Sequence, residues 1–173
     1  MKRLLFILIY LAISPSAIAT QTCKKDYISA STPENQFADN NDGTVTDLKT
    51  GLMWKKCLEG FSGSSCENGS METFTWQQAL QQPEYINNGA GFAGYNDWRI
   101  PNIRELRSIV EEQCYHPAIN INLFPNTPDT YSVWSGTVHS TWSKAWTVYF
   151  GFGDSYLELR SDSFAVRLVR GGQ

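Results

Sequence analysis

The sequence predicts an α+β fold with a mostly antiparallel sheet. Two observations carry that expectation. Segments rich in β-branched and aromatic residues lie near residues 44–55 and again between Tyr131 and Val169, on either side of two helix patterns. No strand alternates with a helix in the βαβ order that builds a parallel sheet.

The chain opens with Lys2 and Arg3, an unbroken apolar run from Leu4 to Ile13, and a small-residue stretch ending in Ala17-Ile18-Ala19. A basic head, a short apolar middle and an A-x-A site predict a secretory signal peptide over residues 1–19. The run is too short for a spanning helix, which needs roughly 20 residues. Ala19-Thr20-Gln21-Thr22 precedes Cys23. That is no lipobox, so no lipid anchor is expected. The product is expected in the periplasm, at the cell surface or secreted.

The leader takes Lys2 and Arg3 with it. Twelve of the 14 Lys and Arg then face 17 Asp and Glu, a net charge of −5 with His neutral. That balance argues against nucleic-acid binding. No second apolar stretch reaches membrane length. What remains has the size of one domain with a real core.

An oxidising compartment makes Cys23, Cys57, Cys66 and Cys114 candidate disulfides. Cys57 and Cys66 flank a Gly- and Ser-rich stretch from Leu58 to Ser65 that folds back easily, so they are expected to pair. Parity then leaves Cys23 with Cys114. A zinc site is disfavoured, because no C-x-x-C occurs and neither His116 nor His139 sits at ligand spacing.

Residues 20–35 are polar, contain Pro33 and read as an extended lead-in. The domain spans residues 36–171. Asp42-Gly43 is a turn before the strand Thr44-Val45-Thr46, and Asp47 to Gly51 is a second turn before Leu52-Met53-Trp54-Lys55. The two strands predict a hairpin with Trp54 in the core. Thr75 with Gln78 is a capping box, and Trp76, Ala79 and Leu80 form a helical stripe that Pro83 is expected to end. Residues 87–97 read as a Gly- and Asn-rich loop. Asn102 with Glu105 opens a second helix carrying Ile103, Leu106, Ile109 and Val110 on one face. Residues 117–128 are irregular. Strands follow at Tyr131–Trp134, Ala145–Phe152, Tyr156–Arg160 and Ala165–Val169, the last two joined by Ser161-Asp162-Ser163.

The ordered series Asp42-Gly43-Thr44-Val45-Thr46-Asp47, Thr50-Gly51-Leu52-Met53-Trp54, Thr75-Trp76-Gln77-Gln78-Ala79, Asp97-Trp98-Arg99-Ile100-Pro101, Glu105-Leu106, Trp134-Ser135 and Val166-Arg167-Leu168-Val169-Arg170 resembles a bacterial domain family. That family is named for the C-terminal domain of the Legionella collagen-like adhesin and was long a domain of unknown function. The likeness covers about residues 36–171. Trp98-Arg99-Ile100-Pro101 and the terminal Val-Arg-Leu-Val-Arg also look like the sulfatase-modifying superfamily. The resemblance implies a C-type-lectin-like α+β fold and an adhesin that binds sulfated glycans as a trimer. This chain departs by having no collagen-like repeat and an acidic balance. Leu168 stands where many members carry a cysteine, which suits the pairing of Cys114 with Cys23.

Enzyme chemistry finds no motif. Formylglycine-generating enzymes use a late pair of thiols, and no cysteine follows Cys114. Gly60-Phe61-Ser62-Gly63 is out of register for a nucleophile elbow. Asp39-Asn40-Asn41-Asp42-Gly43 has Ala38 where a calcium loop needs an acid, so a hairpin turn is expected there. No metal or cofactor is predicted. Arg99, Arg104, Arg107, Arg160, Arg167 and Arg170 read as a salt-bridged surface with Glu105, Glu111 and Glu158.

The expected function is a non-enzymatic binding domain for an extracellular glycan or surface protein. Its site is placed on Tyr131, Trp142, Trp146 and Tyr156, with Asp129, His139 and Lys144 as polar neighbours, because rings stack on sugar faces and a few polar groups fix orientation. Trp54, Trp76 and Trp98 are assigned to the core. A cell-envelope hydrolase and an oligomerising structural module on the same fold are the other classes.

Overall fold

The computed structural model describes residues 21–140 and 143–171. The expected leader, residues 1–19, and Trp142 lie outside the described residues. Among the described residues the fold is α+β, with two helices and mostly antiparallel sheets. No helix there is long and apolar enough to cross a membrane.

A four-stranded sheet is built from β2 (Phe37–Asp39), β3 (Thr44–Asp47), β4 (Met53–Lys55) and β11 (Val169–Arg170), in the order β11-β4-β3-β2. Its hairpin turns follow from local chemistry. Asp42 Oδ1 accepts bonds from the Thr44 amide and hydroxyl, and Gly43 takes a φ of 88°. A Cβ at Gly43 would lie 2.9 Å from Cζ of Phe92, so only glycine fits. At the next turn the buried Asp47 carboxylate accepts from Gln36 Nε2, the Lys49 amide and the Thr50 hydroxyl. Trp54 is fully buried, as expected.

Two short two-stranded ribbons lie outside the main sheets. β1 (Thr22–Cys23) pairs with β7 (Cys114–Tyr115), and β5 (Phe61–Ser62) pairs with β6 (Asn68–Gly69). Disulfides join Cys23 to Cys114 and Cys57 to Cys66. The lead-in is therefore fastened to the body.

The second main sheet has the order β10-β9-β8, with β8 at Ser132–Val138, β9 at Lys144–Tyr149 and β10 at Asp154–Leu159. Alternation along β8 and β9 divides the core. Val133 and Val148 face one cluster with Trp54, Leu106, Ile109 and Phe124, while Trp134 and Ala145 face another with Trp98, Val166 and Leu168.

Three expectations need correction. Helix α1 runs Trp76–Asn87, straight through Pro83. Proline there removes one backbone bond and normally costs about 3 kcal/mol. Here its ring is buried, and the last turn is held from outside. Asn87 exchanges two side-chain bonds with the backbone of Trp98, and Ile86 packs against the second cluster. Helix α2, capped by Asn102 and Glu105 as expected, covers only Ile103–Arg107. Ile109 and Val110 are buried from the turn that follows it. Finally, the last two predicted strands do not form one hairpin. β10 pairs with β9, whereas Ala165 bridges Val133 and β11 pairs with β4. Residues Ala165 to Val169 are all buried because this segment passes between the two sheets.

Candidate functional site

The structure divides the predicted site residues between two faces. Trp146 pairs with Leu157 and Thr147 pairs with Tyr156, so Trp146 and Tyr156 point to opposite sides of one sheet. Trp146 lies in mid-strand, half-buried, with the ring of His139 6.2 Å away. Lys144 opens β9, and its Nζ reaches the Leu157 carbonyl at 3.4 Å. Tyr131 is exposed just before β8. Asp129 and Tyr156 lie elsewhere, on a group of rings that the sequence reading missed.

That group is continuous. Tyr115 and Phe152 stack with ring centres 6.3 Å apart, and Phe152 meets His116 edge-on at 4.6 Å. Phe152 also touches Tyr149 at 6.1 Å, and Tyr149 touches Tyr156 at 6.3 Å. Five rings from three segments thus form one platform. Phe152 is 56 % exposed and Tyr156 45 %, while the other three are half-buried supports.

Local chemistry explains the display. Phe152 sits in the β9–β10 turn between Gly151 and Gly153. Gly153 has a φ of 82°, and a Cβ there would fall 2.6 Å from Cγ1 of Val110. The turn is closed by the Gly153 amide on the Tyr149 carbonyl at 2.9 Å. The His116 amide donates to the Gly151 carbonyl at 2.8 Å and ties the turn to the chain after β7. His116 itself holds a φ of 52°, a conformation uncommon outside glycine, so its ring position is imposed by its surroundings. The sequence signals for this site were Tyr156 and Asp129. Tyr115 and His116 gave none, because their partners are distant in the chain.

The polar rim is acidic. Nδ1 of His116 lies 3.1 Å from Oδ2 of Asp129, without an aligned hydrogen bond. The Tyr156 hydroxyl approaches Oδ2 of Asp154 at 3.4 Å, and the neighbouring Asp154 carboxylate holds that phenol protonated above its usual range. Rings displayed with acceptors at their edge can stack on the apolar face of a sugar and receive its hydroxyl hydrogens. Shallow grooves flank the platform. One is lined by Lys24, Glu112, Tyr115 and Phe152, the other by Pro117, Pro125, Pro128 and Asp129.

The irregular segment 117–128 largely supplies core. Ala118, Ile119, Leu123 and Phe124 are buried. Three of the arginines are engaged within the protein. Arg99 forks onto Glu105, Arg170 pairs with Asp97, and Arg160 lies over the Trp76 ring. Glu111, expected to pair with an arginine, instead accepts bonds from Ser31, Thr32 and Gln113.

A separate groove of about 570 Å³ opens between the β2–β3 turn, the Cys57–Cys66 loop and Phe92. Its carboxylates are engaged within the protein. Asp39 pairs with Lys56 at 2.6 Å, and Asp42 caps the Thr44 turn. Among the described residues no three His, Cys, Asp or Glu side chains are grouped to hold a metal.

Residues 43–170 match the family model described as the Lcl C-terminal domain. No curated protein matches the chain.

Proposed function

The chain belongs to the Lcl C-terminal domain family, and on that footing we propose that it is an exported, non-enzymatic domain of adhesin type. It binds an extracellular glycan on the ring platform of Tyr115, His116, Tyr149, Phe152 and Tyr156. The observation that carries this reading is the exposure of Phe152 and Tyr156 within a continuous run of ring contacts. Rings held by other rings lose little freedom on binding, which favours affinity. A C-type-lectin-like arrangement suits the two helices, the antiparallel sheets and the disulfide that returns the lead-in to the body. The acidic rim and acidic chain favour uncharged glycans over sulfated ones.

A glycan array with the disulfide-intact protein tests this, run beside light scattering. Phe152→Ala and Tyr156→Ala are each expected to abolish array signals with an unchanged melting temperature. If both variants bind like the parent, the platform is not the site. If they instead convert an oligomer to a monomer, the rings are a subunit interface and the glycan reading fails.

A further inference from the structure

We propose that the groove between the β2–β3 turn, Phe61, Phe92 and the Cys57–Cys66 loop is a second binding site, for one uncharged sugar ring. It does not depend on the platform, with which it shares no residue. The volume of about 570 Å³ falls within the roughly 300–1,000 Å³ of small-molecule sites.

Charge selects the ligand class. Four ionisable side chains line the groove, Asp39, Asp42, Lys55 and Lys56, and their formal charges cancel. Both lysines are already matched, Lys56 to Asp39 at 2.6 Å and Lys55 to Glu59 at 2.7 Å. An anionic ligand would sit beside Asp39 and Asp42, and a cationic one beside Lys55 and Lys56. A polyol meets neither repulsion. It can donate hydroxyl hydrogens to carboxylate lone pairs that the pairs leave open and accept from the ammonium groups. Phe61 and Phe92 supply apolar wall for the face of a pyranose ring. Asn41, Ser62, Ser64 and Asn122 add neutral donors and acceptors.

The groove is also held in shape. The Lys56 amide donates to the Gly43 carbonyl at 2.9 Å, tying floor to turn. The disulfide closes the Ser62–Ser64 wall onto Cys57. Phe92 is fixed by Trp98, ring centres 5.7 Å apart, and by the Lys55 ammonium 4.6 Å from its own centre. A wall that is rigid before binding wastes little affinity on ordering.

An amide-resolved NMR titration of the disulfide-intact protein tests the proposal. The probes are methyl glycosides of glucose, galactose and mannose, with a sulfated galactose as the charged control. At least one neutral glycoside is expected to shift the amides of Phe61, Gly63 and Phe92, and the sulfated sugar is not. Phe92→Leu should weaken the neutral sugar about tenfold or more. Asp39→Asn leaves Lys56 unpaired and makes the groove cationic, so it should admit the sulfated sugar and weaken the neutral one. The proposal fails if no neutral glycoside moves these amides, or if the parent groove takes the sulfated sugar equally well. It also fails if shifts are confined to Tyr149, Phe152 and Tyr156, an outcome that would leave the platform standing alone.

Discussion

Arg167 donates a 2.7 Å hydrogen bond from Nη2 to the hydroxyl of Thr127, joining the last buried segment of the chain to the irregular stretch before β8. Its Nη1 donates to the carbonyls of Lys55 and Lys56, and its guanidinium lies over the Phe124 ring at 5.0 Å. The side chain is fully buried.

Removing that side chain therefore strands two carbonyls and opens a cavity. Arg167→Ala is expected to cost about 3–5 kcal/mol in urea unfolding. Arg167→Lys should cost less, because one ammonium replaces only part of the fork. Burial lowers the guanidinium to about 9, with Glu59 opposing. The unfolded chain thus holds this proton more tightly. The penalty of the buried charge is present in full below about pH 9 and is relieved only as pH rises above it. Arg167 should add no pH dependence between pH 6 and 8. An Arg167→Ala midpoint equal to that of the parent would refute its role as a clamp.

Glu111 fastens the lead-in. Burial alone would raise its carboxyl, but bonds from Ser31, Gln113 and Thr32 outweigh burial and hold it below the usual range. A depressed folded value stabilises the protein above the ordinary carboxylate range and loses that contribution as pH falls through the folded value. Glu111→Gln should cost about 1.5–3 kcal/mol at neutral pH. It should also flatten the acid limb of the stability curve. Identical acid limbs in parent and variant would show that another carboxylate governs it.

The two disulfides close loops of very different length, with sequence separations of 91 and 9. Loop entropy gives upper values of about 4.6 kcal/mol for Cys23–Cys114 and about 2.6 kcal/mol for Cys57–Cys66. The double serine variant at Cys23 and Cys114 should therefore melt lower than the one at Cys57 and Cys66. The reverse order would mean that the short loop carries structure beyond entropy, such as the groove wall it forms.

Local signals predicted the right elements where the chemistry is local. Both capping boxes, the Asp42-Gly43 turn and the buried Trp54 belong to this group. Pro83 misled because a tertiary contact, Asn87 on Trp98, outweighs a local rule. The candidate site was half legible. Tyr156 and Asp129 could be named from aromatic and polar content. Trp146 could not be separated from Tyr156 without the register of β9 on β10, because a single residue of shift moves a side chain to the other face. His116 and Tyr115 became visible only once β7 was placed beside the β9–β10 turn.

That placement distinguishes two kinds of aromatic residue by experiment. Trp98 is buried, and its indole N–H donates to the Phe92 carbonyl at 3.1 Å. Trp98→Ala should lose about 3–5 kcal/mol of stability, as large-to-small core changes do. Phe152 is mostly exposed and contacts only other platform rings among the described aromatic pairs. Phe152→Ala should leave the melting temperature within about 2 °C, since surface changes stay near 0.5 kcal/mol. Its effect should fall on binding, with at least about a tenfold loss for the glycan found on the array, as for a central interface anchor. Tyr156→Phe, which keeps the ring and removes the hydroxyl beside Asp154, should retain most of that affinity if stacking dominates. A loss as large as that of Tyr156→Ala would mean that the hydroxyl and Asp154, and not the ring face, make the decisive contact.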